Sequence, residues 1–380
     1  MRIAEREQEL PFFVMNSLLA LAGKPGVVSL GPGEPDGSPP PAVIRAAKQA
    51  LDRRETHYTP PQGRPDLLAA LARKLKRENR IDADPEDVIV TNGSSEGILL
   101  TLLCAVDPGE GVLLPDPGFL SYRPLVEMLS GMPLSFVLRE EQGFRYTTEA
   151  LEQAIVPEKT RALILNTPSN PTGTVLSRAD LEEIAGFAVE HDLLIIADEA
   201  YEKFTYGTVH VSIGSLNGMA ERVVTLFSFS KSHAMPGFRL GYATGPREMI
   251  AAMTKLHLFT TLTSSSISQA AALAALRETD TVTRAVQEYG RRRDLVVRRL
   301  GEMGLPCVEP RGAFYAFPSI RRFGRSSLDV AKQLLAAKVA VVPGTEFGRQ
   351  GEGYIRISYA TARPLIERGM DRIERAIRSL

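Results

Sequence analysis

Cysteine is nearly missing: Cys104 and Cys307 are the only two in 380 residues, with no CxxC pair and no Cys/His cluster. That argues against a disulfide framework or a structural zinc, and it suits a reducing, cytosolic setting. Neither sign of charge is in excess, with 45 Lys+Arg against 45 Asp+Glu. Without a basic footprint, neither nucleic acid nor an anionic membrane is an expected partner. No apolar run approaches the roughly 20 residues of a membrane span. The opening MRIAEREQEL is charged and shows no apolar signal-peptide core. Internal repeats and low-complexity tracts are also absent. What remains is a chain with 44% apolar residues. Its length suits about two domains.

The patterning that is present alternates. The first forty residues are irregular and rich in Gly and Pro. Helical spacing begins at Pro41 (PAVIRAAKQALDRR) and returns in LLAALARKLKREN. Short apolar runs then alternate with helical segments: DVIVT, GVLLP, PLSFVL, RALILN, LLIIAD and RVVTLFS. Strands that are apolar throughout and alternate with helices predict an α/β fold, a mostly parallel sheet covered on both faces. A long helix is expected from about Thr279 to Met303, followed by an α+β unit containing GAFYAFP, VAVVPG and YIRISYA. The expected division is a large domain over residues 43–278 and a small one from residues 1–42 and 279–380.

In such sheets ligands sit beyond the carboxyl ends of the strands. RALIL is followed by NTPSNPTG with Asn170, and LLIIA by Asp198-Glu199-Ala200-Tyr201. RVVTLF is followed by Ser228-Phe229-Ser230-Lys231, with Arg239 eight residues on. DVIV leads through Gly93, Ser94 and Ser95 into a helix. Singly, each suits a bland role: Asn170 in a turn, Asp198 or the serines as caps, Lys231 as a solvated charge. Jointly they meet the needs of pyridoxal phosphate. Its aldehyde requires a lysine for a Schiff base, which Lys231 supplies. Its ring nitrogen requires an anion, Asp198, and its phenolic oxygen requires donors, Tyr201 and Asn170. Its phosphate requires a helix start, hydroxyls and a forked cation: Ser94, Ser95, Ser228 and Arg239.

With NPTG, DEAY and SFSK followed by GFRLGY in that order, the sequence resembles the class I aminotransferases, from SLGPGEPD to YIRISYA. The resemblance implies the pyridoxal-phosphate fold-type I architecture and a ping-pong transfer of an amino group from an L-amino acid to a 2-oxo acid, commonly 2-oxoglutarate. It makes Lys231, Asp198 and Tyr201 catalytic, Lys231 also carrying the proton at Cα. It adds Phe119 stacked on the cofactor ring, with core filler as the competing role. Arg356 becomes the clamp on the substrate α-carboxylate, with Gly33 beside it and Asn170 also in reach. Tyr58 matches a tyrosine that reaches the phosphate of a neighbouring subunit, which implies a homodimer. A cytoplasmic location is expected from the scarcity of cysteine and the charged, signal-free start of the sequence.

Three features depart from the family pattern. Gly37 follows EPD where a bulkier residue is frequent. Ser95 stands where some acidic-substrate relatives have lysine. The stretch LPFFVMNSLLALAG is unusually apolar, and packing on the small domain is its expected role. A carbon–sulfur β-lyase on the same scaffold would use the same lysine, aspartate and arginine. An effector-sensing regulator would carry a fused DNA-binding segment, whereas this pattern starts almost at Met1 with zero net charge. A nucleotide-binding protein would show GxxxxGK[ST], or GxGxxG after a first strand, and neither occurs. The five histidines are scattered, so no metal site is expected; His233, near Lys231, is expected to be structural.

Overall fold

The computed structural model describes residues 25–378 together with Ile3 and Glu7. The apolar stretch at residues 10–23 lies outside them. β1 (Val28–Ser29) is followed by the helices Pro41–Asp52 and Pro65–Lys74. The large sheet is built from β2 (Val88–Thr91), β3 (Gly111–Asp116), β4 (Met132–Val137), β5 (Thr160–Asn166), β6 (Leu194–Asp198), β7 (Val223–Ser228) and β8 (Gly241–Thr244). Their spatial order is β2-β8-β7-β6-β5-β3-β4. Pairings are parallel from β7 through β6, β5 and β3 to β4, and β8 runs antiparallel to both β2 and β7.

Burial explains why these runs are strands. Ile195, Ile196 and Ala197 of β6 are wholly enclosed, as are Leu163, Ile164 and Leu165 of β5. Alternate residues face two separate cores. Leu163 and Ile195 belong to one core, with Leu181 and Ile184 of the helix Arg178–Glu190. Ile164 and Ile196 belong to the other, with Ile98 and Leu102 of the helix Ser94–Ala105. A sheet covered on both faces has no polar side, so the strands read as unbroken apolar runs.

Beyond the helix Thr279–Glu302 the chain forms β9 (Tyr315–Ala316), β10 (Val339–Ala340), β11 (Val342–Pro343) and β12 (Ile355–Ser358). β11, β12 and β9 make a three-stranded antiparallel sheet. β1 pairs in parallel with β10, joining the N-terminal segment to the C-terminal unit. The closing helix Arg363–Ile377 buries Ile366, Met370 and Ile373 on that unit's core. Among the described residues no helix is long and apolar enough to cross a membrane, and no group of His, Cys, Asp and Glu is arranged to hold a metal.

Candidate active site

Strand direction gathers the chemistry. β2, β3, β5, β6 and β7 end at one edge of the sheet with Thr91, Asp116, Asn166, Asp198 and Ser228. The reversed β8 starts there at Gly241, in register with Thr91 and Ser228. A cavity of about 220 Å³ opens at this edge. Gly33, Gly93, Ser94, Ser95, Phe119, Asn170, Asp198, Tyr201, Ser228, Lys231, Arg239 and Arg356 all line it. Tyr58 does not, and 80% of its surface is exposed. Phe119 packs edge-on against Tyr122 with ring centres 5.5 Å apart.

One end of the cavity is an anion cradle. Gly93, at φ +84°, turns the chain into the helix Ser94–Ala105, whose first N–H groups have no acceptor within the helix. A Cβ on Gly93 would lie 2.7 Å from Nη2 of Arg239, so the guanidinium lies against the helix start. A Cβ on Gly241 would come within 2.8 Å of the Ser94 nitrogen, so the sheet edge also requires glycine there. The Ser228 hydroxyl accepts from the Ser230 N–H at 3.1 Å. A helix start, a forked cation and hydroxyls at one place suit a phosphate group.

The cavity floor is a buried anion. Asp198 accepts from the Tyr122 hydroxyl at 2.8 Å and the Ala200 N–H at 3.2 Å. Burial pushes its carboxyl above the ordinary value, against the pull of the Tyr122 hydrogen bond, the Ala200 amide and the Lys231 charge. An anion held at that cost favours a cationic partner. Lys231 donates to the Gly33 carbonyl at 2.6 Å and lies 5.8 Å from the centre of the Tyr201 ring. Burial first, and Arg356 second, lower its ammonium to about 8. Its neutral, nucleophilic form is therefore accessible near neutral pH. The Tyr201 phenol shares a 2.8 Å hydrogen bond with Tyr315, and burial holds it well above its usual pKa.

Arg356, on β12, is 3% exposed. It donates from Nη1 to Asn170 Oδ1 at 2.8 Å and from Nη2 to the Gly31 carbonyl at 2.6 Å. Its planar head lies between Tyr315 and Phe347, with the guanidinium carbon 4.4 and 4.7 Å from the ring centres. Nε is buried without a hydrogen-bond partner.

Comparison with known proteins fits this geometry. The family model for aminotransferase class I and II matches residues 25–373. The chain belongs to the class I and II aminotransferases. It is 48% identical to an aspartate aminotransferase of Pyrococcus abyssi over 94% of this chain and 93% of that one. It is 47% identical to an aromatic-amino-acid aminotransferase of Thermococcus litoralis, again over 94% and 93%. The solved aromatic aminotransferase of Pyrococcus horikoshii superposes with a TM-score of 0.91 at 45% identity, covering 96% of this chain and 99% of that one.

Sequence reasoning passed over several residues of this aminotransferase's site. Tyr122 anchors Asp198, and Tyr315 links Tyr201 to Arg356. Asn166 accepts from the Asn170 N–H at 2.8 Å and donates to the Asp198 carbonyl at 2.9 Å. It thereby ties the NPTG turn to the DEAY turn. Tyr122 and Asn166 each lie within four residues of a residue already singled out, and Tyr315 sits in a run read only as a strand. In this aminotransferase the cavity thus joins an anion cradle, a buried carboxylate, an amine and a guanidinium in one enclosure.

Proposed function

We propose that the enzyme is a pyridoxal-phosphate-dependent aminotransferase that works by a ping-pong mechanism as a homodimer in the cytoplasm, with 2-oxoglutarate as acceptor. The observation that carries the reading is the single cavity shared by Asp198, Lys231 and Arg356. The donor set fits pyridoxal phosphate: an anion cradle at one end, and a buried carboxylate that favours a cation on the floor. When bound, that cofactor supplies an aldehyde carbon for an amine and a protonated ring that draws electrons from the substrate's Cα. Lys231 is the covalent anchor, and its Nζ would take the proton from the substrate's Cα and deliver it to the cofactor's former aldehyde carbon. Asp198 keeps its charge against the ring nitrogen. Tyr201 and Asn170 donate to the phenolic oxygen, and Phe119 covers one ring face. Gly93, Ser94, Ser95, Ser228 and Arg239 hold the phosphate. Arg356, with Gly33 and Asn170 beside it, receives the substrate α-carboxylate, which a planar fork matches better than an ammonium does. The proposed domains are residues 43–278, and residues 1–42 with 279–380, a division supported by the β1–β10 pairing.

The test is a half-reaction screen. Each amino acid is mixed with holoenzyme and conversion to the amine form of the cofactor is followed by absorbance. Aspartate and the aromatic amino acids are expected to convert fastest, in line with the names of the two relatives. Pyruvate and ammonia released from a cysteine conjugate with no oxo acid present would instead make the protein a β-lyase.

The dimer has its own test. Tyr58, Phe259 and Leu262 are 80%, 77% and 47% exposed. The neighbouring Thr59 and Thr263 share a hydrogen bond that brings the two segments together. Thr261 reaches Glu96 in the first turn of the cradle helix at 3.2 Å. An apolar patch beside the cradle is where a second copy would bring its own Tyr58. Sedimentation should show a dimer, and Tyr58→Phe should weaken pyridoxal phosphate binding about tenfold, as loss of one hydrogen bond to a charged group implies. A fully active monomer would overturn this.

A further inference from the structure

Asp116 ends β3 at the active edge, yet nothing in the proposed chemistry uses it. It is only 8% exposed. Both carboxylate oxygens are taken by the backbone of a turn in the C-terminal unit. The Arg349 N–H donates to Oδ2 at 3.1 Å and the Gln350 N–H to Oδ1 at 3.0 Å. Two residues after Asp116, the Gly118 N–H donates to the Phe347 carbonyl at 2.8 Å. Gly348 completes the contact. Its φ is +122°, and a Cβ there would run into the Asp116 carboxylate. The turn at residues 347–350 is therefore seated on the end of β3 by hydrogen bonds to one side chain and one amide.

Both partners in this junction continue into walls of the active site. From Asp116 the chain runs to Phe119, which lines the cofactor cavity. From the turn it runs to Phe347, 3% exposed, whose ring supports the Arg356 guanidinium at 4.7 Å. A cleft of about 470 Å³, bordered by Asp116, Phe119, Phe347 and Arg349, opens beside the junction. Phe347 itself packs in a core beside Phe317, with ring centres 6.1 Å apart, and the hydrogen bonds to Asp116 hold the residues that follow it. The carboxylate is not needed to build β3, because the strand's link there, the Leu138 N–H to the Asp116 carbonyl at 2.8 Å, uses backbone alone.

We propose that Asp116 is a positioning residue for substrate binding: its carboxylate fixes the 347–350 turn so that Phe347 holds Arg356 ready for the substrate carboxylate. The inference rests on the proposed role of Arg356. A carboxylate is the side chain for this task, because it offers two acceptors and no donor to two inward-pointing N–H groups. Asparagine would turn an NH₂ donor against one of them. The turn would then loosen, and Arg356 would have to be ordered again each time a substrate binds, which weakens binding without altering chemistry at Lys231.

Asp116→Asn is therefore expected to raise KM for the amino donor, and Kd for an unreactive carboxylate such as 3-phenylpropionate, about tenfold or more, the effect of one lost charge-assisted hydrogen bond. kcat should change by less than about threefold, since the interaction is made equally in ground and transition states. The absorbance and affinity of bound pyridoxal phosphate should not change. In cofactor-free protein, amide exchange at residues 347–350 should accelerate, a readout independent of turnover. Gly348→Ala, which drives a Cβ into the same carboxylate, should repeat both effects, and it serves as the second variant should Asp116→Asn fail to fold. Unchanged KM, unchanged exchange, or a parallel loss of kcat, cofactor affinity and melting temperature would each overturn the inference. Arg356→Lys is measured alongside. An unchanged KM there would remove the reading of Arg356 itself, whereas a large effect there with none at Asp116 would remove only this inference.

Discussion

Replacing Lys231 with methionine should remove turnover and, in cofactor-free protein at pH 7, raise thermal stability. The first effect should be about 10⁴-fold or more, because in the proposed reading one side chain serves as both covalent anchor and proton carrier at Cα. The absorbance band of lysine-bound cofactor should vanish with it, while cofactor affinity falls less, since the phosphate cradle and Asp198 remain. The second effect has a separate cause. The buried ammonium titrates at about 8 in the folded protein against 10.5 for an ordinary lysine. Below pH 8 both states carry the charge, and the folded protein bears the cost of burying it. Between about 8 and 10.5 the unfolded chain still holds a proton that the folded protein has released, so folding gains stability as pH rises. Methionine removes the charge at every pH. Its advantage over the wild-type apoprotein should therefore be full below pH 8 and shrink above it. Melting curves across pH 6 to pH 10 check this, and a variant less stable than wild type at pH 7 would show that the amine is not held in a costly state.

Several residues proposed to carry this chemistry stood out because they fall at or just after the end of an apolar run. Asp198 and Ser228 end buried strands, and a reader who knows that parallel sheets bind ligands at their carboxyl edge looks there first. Asn166 ends one too, but only Asn170 beyond it was given a role. β8 was not legible as a strand. Its four residues open with Gly241, a poor strand former that is required because the Ser94 nitrogen and the Phe227 carbonyl leave no room for a Cβ. The same glycine was visible only as part of GFRLGY. Partners that support the site were missed for another reason: they meet across long stretches of chain. Tyr122 reaches Asp198 over 76 positions, and Tyr315 reaches Tyr201 over 114. No local pattern records such a pairing. Asp116 is hidden still more completely, since its partners at residues 349 and 350 are backbone N–H groups, which any sequence there would supply. Tyr58 marks a different boundary, because the role expected of it lies in a neighbouring subunit.

Arg356→Lys should raise KM for the amino donor by about 10²-fold, with kcat/KM falling at least as far, a loss of about 3 kcal/mol that is typical when a buried charge pair is broken. Lysine keeps the charge, so the argument turns on shape. The guanidinium is spread between the faces of Tyr315 and Phe347, and its two Nη groups are held by Asn170 and Gly31. Those contacts fix the plane of the fork while Nε remains unpartnered in the interior. Burial already lowers the proton affinity of Arg356 from its usual value, and the two tyrosines facing it offset that in part. An ammonium at the same place would be a compact, strongly hydrated charge with no plane for the rings to stack on. It would suffer the same desolvation, and it would meet a carboxylate at one point instead of two. Asn170→Ala is the informative companion. It should raise KM less than Arg356→Lys, because Gly31 and the two rings still hold the guanidinium, but the double variant should cost less than the two single losses added together. Full additivity would mean that Asn170 does not act through the orientation of Arg356, and its hydrogen bond to the guanidinium would then be incidental to carboxylate binding.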